Sequence, residues 1–430
     1  MAALLAVPVL AASPAHAYSS QQWALDYLKA SQDWQVSKGA NVTVAVLDSG
    51  VASISDLSGQ VLSGADFANG TTSGGNGETD TDNDGHGTGM ASVIAGNGTN
   101  VTGLAPSAKI LPVRIDASSA SGLFGPNIAA GIRYAVNQHV GVINLSIGGA
   151  NDLGPDVSGA IAQAVAANIV VVAATGNQDN GTTTVQYPAA YPGVIAVGAI
   201  DQSGQIWSQS SYGARTTLAA PGVQIYRDNN FGQQGTSSGT SEATAYVSAT
   251  AALIRSAHPD WTAGQVIRDL ISTADPGSGQ TAGQHSDQYG YGIIDPLKAL
   301  QASAPSDTSN PLLGASGASA TPGSGSVGNA SSSPTAAASP SSSSHIGLII
   351  GVVVGVFIVL GLALLIVALA RRGRGGPKPP SGPGQHGGGY QPPNPQQNPY
   401  QQQSPYQQQN PYQQSPYQQQ PPQYPQNPNQ

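Results

Sequence analysis

Three side chains in this sequence have types and surroundings suited to acyl transfer: Asp48, His86 and Ser241. A serine hydroxyl is a weak nucleophile until a base takes its proton, and a neutral imidazole does this near pH 7. The imidazole must present the right nitrogen, so a carboxylate is needed to hold the other one. Glycines surround each candidate: Gly50 after Asp48, Gly85 and Gly87 around His86, and Gly239 before Ser241. They permit the sharp turns and close approach that such a site requires. Charge developing on a substrate carbonyl oxygen needs donors. The Ser241 amide, at a predicted helix N-terminus, is one. Asn177, in Ala173-Ala174-Thr175-Gly176-Asn177, is the candidate second.

The elements that must position these residues are legible as hydrophobic runs. Val42 to Leu47, Ile110 to Ile115, Val140 to Leu145, Ile169 to Ala174 and Val194 to Ala199 are short and almost continuously apolar. Strands buried on both faces have this pattern. Helix-period segments lie between them, at Met90 to Ala95, Ile128 to Val136 and Val157 to Ala167. Later come a helix from Thr240 to Ala257, stopped by His258-Pro259, and another from Trp261 to Ala274. The alternation predicts an α/β fold: a doubly wound, mostly parallel sheet with helices on both faces. Ligands bind at the carboxyl ends of the strands in such sheets. Asp48, the segment after Leu145 and Gly176-Asn177 all follow strand ends.

Asp-Ser-Gly, His-Gly-Thr-Gly and Gly-Thr-Ser in this order resemble the subtilisin family of serine proteases. The resemblance extends to Ile143-Asn144-Leu145-Ser146-Ile147-Gly148-Gly149, to Ala219-Ala220-Pro221-Gly222 and to Tyr291-Gly292-Ile293-Ile294-Asp295, and covers residues 20 to 302. It implies serine endopeptidase activity on protein or peptide substrates, with Asp48, His86 and Ser241 as catalytic triad and Asn177 in the oxyanion hole. By the same analogy Ser146, Ile147 and Gly148 pair with substrate backbone on one side and Gly122 on the other, the peptide adding as a strand. The chain departs from the family pattern after the serine. Glu242 stands where the family has Met, Ala245 where it has Pro and Ala249 where it has Gly.

Composition narrows the setting. Only 8% of residues are charged and the net charge is −8, which argues against a nucleic-acid partner. There is no cysteine, hence no disulfide framework. Asp80-Thr81-Asp82-Asn83-Asp84-Gly85 imitates half of a calcium loop, but Ala91 stands where the bidentate Glu belongs. His139, His258, His285, His345 and His386 have no ligand spacing. No metal or cofactor is expected.

Residues 1–17 end in the A-x-A pattern Ala15-His16-Ala17 and read as a signal peptide. They lack a Lys/Arg n-region, so a start upstream of Met1 is expected. Residues 18–41 form an N-terminal extension and 42–302 the peptidase domain. A Ser/Ala/Pro/Gly linker, expected to be disordered, fills 303–345. Residues 346–370 carry no charge and read as one transmembrane helix. Arg371, Arg372 and Arg374 follow at once, placing the tail 371–430 in the cytoplasm and the catalytic domain outside. That tail is Pro/Gln/Tyr-rich, with Pro-Tyr pairs at Tyr400, Tyr406, Tyr412 and Tyr417, and is expected to be disordered. This whole order of parts resembles the mycosins, the membrane-anchored proteases that accompany type VII secretion systems. The resemblance implies a location in the cell membrane and a type VII secretion membrane complex as partner. A structural brace in that complex, with proteolysis weak or silent, is the alternative that the same layout allows.

Overall fold

The computed structural model describes residues 18–115, 124–177 and 184–314. Gly122, the segment 1–17, the apolar stretch 346–370 and the tail 371–430 lie outside the described residues. Among the described residues, no helix is long and apolar enough to cross a membrane.

Seven strands form one sheet: β1 (Thr43–Asp48), β2 (Ala65–Asp66), β3 (Lys109–Arg114), β4 (Val142–Leu145), β5 (Val170–Ala174), β6 (Ile195–Ile200) and β7 (Leu218–Pro221). Their order is β2-β3-β1-β4-β5-β6-β7, and every neighbouring pair is parallel. The five apolar runs of the sequence are β1 and β3 to β6, shifted by at most two residues. A separate antiparallel hairpin joins β8 (Ile225–Asp228) to β9 (Gln234–Ser237). The sequence reading did not separate out β2, β7 or this hairpin. β7 has four residues and ends in Pro, and the hairpin strands Ile-Tyr-Arg-Asp and Gln-Gly-Thr-Ser carry no apolar run.

Side chains alternate across a strand, so the sheet has two cores. On one face Val44, Val46, Val142, Val170, Val172, Ile195 and Val197 pack with α3 (His86–Ala95), α6 (Thr240–Ala257) and α7 (Ala263–Thr273). On the other Ala45, Leu47, Leu111, Val113, Ile143, Leu145 and Val171 pack with α4 (Phe124–Asn137) and α5 (Pro155–Ala166). The doubly wound arrangement expected from the sequence is therefore present. The N-terminal extension folds into α1 (Trp23–Tyr27) and α2 (Ala30–Val36), which join the first core through Ala24, Leu25 and Trp34.

Helix α6 is buried from Thr240 to Ile254. A helix enclosed on all sides needs small residues for close approach and partners for every hydroxyl. Thr244 and Thr250 return their hydroxyls to the carbonyls of Thr240 and Tyr246 at 2.7 and 2.8 Å. Ser248 donates to Asn144 on β4 at 2.9 Å. Ala245 and Ala249 are fully buried in the first core. Packing also continues past residue 302, where composition suggested a linker. After α8 (Pro296–Gln301), the chain returns to α7 and to the turn before β6. Pro305 and Thr308 accept from Gln265 and Thr262 at 2.7 and 2.9 Å, and Asn310 donates to Gly193 at 3.0 Å.

Candidate active site

Asp48 ends β1, Ser146 follows β4 and Asn177 lies just beyond β5, all at the carboxyl edge of the sheet. His86 opens α3, and Ser241 is the second residue of α6. The chain can bring them together because Gly85 adopts a left-handed conformation (φ +63°) at the N-cap of α3. Two residues on, a Cβ at Gly87 would stand 2.1 Å from the Gly50 carbonyl oxygen, so only glycine lets α3 lie this close to the end of β1.

His86 Nδ1 lies 2.8 Å from Asp48 Oδ1. A carboxylate only accepts, so Nδ1 carries the proton and Nε2 is left as the basic nitrogen. Asp48 Oδ1 also accepts the Ser49 amide at 2.8 Å, and Asp48 is almost wholly buried. Burial of the imidazole works against its protonation. The charge and hydrogen bond of Asp48, with the charge of Glu242 behind it, outweigh burial and the opposing Arg227, and push the His86 pKa up to about 9.

Asp80 ties this pair together. Its Oδ1 accepts from the Ser49 hydroxyl at 2.8 Å, and its Oδ2 from the Thr88 amide and hydroxyl at 2.8 and 2.6 Å. The half calcium loop of the sequence thus spends its first carboxylate on protein donors, joining the residue after Asp48 to the first turn of α3.

Ser241 is buried to 8% exposure. Its hydroxyl donates to the Ser146 carbonyl at 3.1 Å, and the Ser146 hydroxyl donates to the Ser241 carbonyl at 2.9 Å. Asn144 donates in turn to the Ser146 hydroxyl at 3.0 Å. In this state the serine proton is given to the Ser146 carbonyl. Asn177 has its amide orientation fixed: Oδ1 accepts from the Thr240 amide at 2.9 Å and the Thr240 hydroxyl at 2.8 Å. Nδ2 is then the end free to donate. The sequence marked Thr240 only as the start of a helix; its hydroxyl aligns Asn177 and accepts the Gly176 amide at 3.2 Å.

A cleft of about 230 Å³ adjoins these groups, lined by Asp48, Ser49, Asp82, His86, Phe124, Ser146, Ile147 and Gly148. Seven of the eight residues singled out in the sequence therefore gather at one edge of the sheet. The arrangement contains an oriented base, a hydroxyl at a helix N-terminus, and a side-chain amide and a main-chain amide able to hold an oxyanion. Glu242 was noticed in the sequence but its partner Arg227 was not; the two form a buried ion pair at 3.5 Å.

The chain is similar to known proteins. The profile of the subtilase family matches residues 39–292. Subtilisin NAT of Bacillus subtilis subsp. natto is 41% identical over 268 residues, covering 61% of this chain and 66% of its own length. The chain thus spans about two thirds of that relative. Thermitase of Thermoactinomyces vulgaris is 35% identical over 288 residues, 66% of this chain and 97% of its own. Among solved structures, MycP1 with its N-terminal propeptide removed superposes with a TM-score of 0.57 at 31% identity, over 66% of this chain and 98% of that one. MycP1 from Mycobacterium smegmatis gives 0.59 at 27% identity, over 70% and 89%.

Proposed function

Because this chain belongs to the subtilase family of serine endopeptidases, we propose that it cleaves peptide bonds through an acyl-enzyme on Ser241. His86 takes the serine proton at Nε2 and later gives it to the leaving amine. Asp48 holds the imidazole in that tautomer and stabilises its charged form. The Ser241 amide and Asn177 Nδ2 receive the negative charge of the tetrahedral intermediate. Substrate backbone runs along Ser146, Ile147 and Gly148 as an added strand. The observation that carries this reading is the 2.8 Å contact of His86 Nδ1 with a buried Asp48 beside a serine at a helix N-terminus. Hydrolysis of a denatured protein by the wild type, and none by Ser241→Ala, is the expected result; equal hydrolysis by both would refute it.

The setting we infer is the outer face of the cell membrane. A signal peptide at 1–17, one span at 346–370 and a cytoplasmic tail at 371–430 would leave the catalytic domain extracytoplasmic. Its natural substrates would then be proteins or components of a type VII secretion system. Support comes from the likeness to MycP1, described as an essential component of the type VII (ESX-1) secretion system, at a TM-score of 0.57 and 32% identity. The test compares secretion in a Ser241→Ala strain with a deletion strain. Loss of processing in both supports the peptidase role. Normal processing and secretion in the point variant, with failure only in the deletion, would make the domain a structural brace instead.

A further inference from the structure

The first turn of α6 holds a charge that ought to hinder the reaction. Glu242 follows the nucleophile directly, and its side chain is 2% exposed. A Cβ built on Gly239 would meet Glu242 Oε2 at 2.8 Å and Asn177 Nδ2 at 3.1 Å. The carboxylate and the oxyanion donor thus converge on one glycine. An uncompensated carboxylate there would repel the developing oxyanion and make proton loss from His86 harder.

Arg227 on β8 meets this charge. Its side chain is 9% exposed, with Nε 3.5 Å from Glu242 Oε1, while Ser237 donates its hydroxyl to the same oxygen. Arg227 Nη1 reaches the carbonyls of Asp84, Gly85 and Asp228 at 3.2, 3.4 and 2.9 Å. Asp84 and Gly85 are the two residues before His86. The guanidinium fits because α3 has a glycine beneath it: a Cβ at Gly89 would stand 2.4 Å from Nη1. One buried cation therefore links the histidine's approach loop to the serine's helix.

We propose that Arg227 is a positioning residue for peptide-bond cleavage, clamping the loop before His86 to the first turn of α6 and cancelling the Glu242 charge beside Asn177. This rests on the reading of Asp48, His86 and Ser241 as the catalytic set. Among the described residues, the charged and titratable groups facing the site are Asp48 from β1, Asp80 and Asp82 from the loop before α3, Glu242 and Tyr246 from α6, and Arg227 from β8. Asp228, next to Arg227, faces Asp56.

The test uses the full-length chain with Arg227→Gln, Glu242→Gln and both together. It reads kcat and KM on a peptide anilide, and the pH profile of kcat/KM. Arg227→Gln should lower kcat by about tenfold or more with little change in KM, and move the acid limb to higher pH. Glu242→Gln should move that limb to lower pH. The double variant should return the limb to the wild-type position and recover the part of kcat that the unbalanced charge costs, while the part that depends on the Asp84 and Gly85 carbonyl contacts stays lost. A double variant as slow as Arg227→Gln, or a limb that stays fixed in both single variants, overturns the proposal. Should Arg227→Gln fail to fold, the limb must still lie lower in Glu242→Gln than in the double variant; equal limbs overturn it. A wild type without turnover would sink the peptidase reading instead. NMR titration of the His86 ring in the same variants would then decide the charge compensation by the same opposite shifts.

Discussion

Replacing Thr240 by Val tests how the oxyanion donor is aimed. The change keeps shape and removes one hydroxyl. Asn177 Oδ1 loses the 2.8 Å bond from that hydroxyl but keeps the 2.9 Å bond from the Thr240 amide. A neutral hydrogen bond contributes about 0.5–1.5 kcal/mol net. Alignment of Nδ2 should weaken by that amount at most, a loss of about 2- to 10-fold in kcat with KM nearly constant. Asn177→Ala removes the donor outright and should cost about 100- to 1000-fold, a range whose type case is itself a subtilisin. Thr240→Val also strips the acceptor from the Gly176 amide, 3.2 Å away, so about 1–3 kcal/mol of stability should go with it. Thr240→Ser restores both bonds and should restore both quantities. Steady-state kinetics on a peptide amide, with thermal melts, would measure this. If Thr240→Val fell as far as Asn177→Ala, or if Thr240→Ser were as impaired as Thr240→Val, the hydroxyl would not act by aiming Asn177.

Three further outcomes follow from the shifted titrations of His86 and Asp33. With the His86 pKa pushed up to about 9, the neutral base is scarce at pH 7, so kcat/KM should climb about tenfold per pH unit below that value and bend near it; a limb at or below pH 6.5 would contradict the hold of Asp48 and Glu242 on the imidazolium. The same raised pKa stabilises the fold most below the free histidine value of 6.5, and that contribution is lost as pH rises towards 9. Asp33 on α2 is fully buried with neither carboxylate oxygen hydrogen-bonded. Burial, with Asp295 adding to it against Lys29, pushes its pKa from 3.8 up to about 8. The folded state then holds an extra proton between those values, and stability falls as pH rises through the window. Asp33→Asn should raise the melting temperature at pH 8 by several degrees and flatten its change between pH 5 and 8; a lower melting temperature at pH 8 would count against this.

The parts of the fold legible in the sequence are those whose burial is uniform. β1 and β3 to β6 are covered on both faces, so Val, Ile, Leu and Ala dominate them, interrupted only by residues such as Pro112, Asn144 and Gly198. Helix α6 was legible at both ends because Gly239 precedes it and His258-Pro259 follows. The β8–β9 hairpin escaped because Ile225 is its one side chain in the core, and backbone pairing and Arg227 hold the rest. Helix α2 escaped for a related reason: Ala-Ser-Gln-Asp-Trp-Gln-Val has one large anchor, Trp34, and starts after Lys29 in a left-handed conformation. At the site, local glycine patterns identified Asp48, His86 and Ser241, whereas the partners that orient them are distant in sequence. Arg227 meets Glu242 only because β8 and β9 fold back on each other, and Asp80 meets Ser49 only across the loop before α3. The Asn177 amide could be named from its place after β5, but its orientation depends on a hydroxyl brought in by another element.

The central claim is that Ser241 is a nucleophile activated by His86 and Asp48. Reaction with a fluorophosphonate, followed by mass spectrometry of the peptide containing Ser241, tests it most directly. The wild type should carry one adduct on Ser241, Ser241→Ala none, and His86→Ala should label slower by several orders of magnitude. Labelling of Ser241→Ala at the wild-type rate, or of His86→Ala as fast as the wild type, would contradict it.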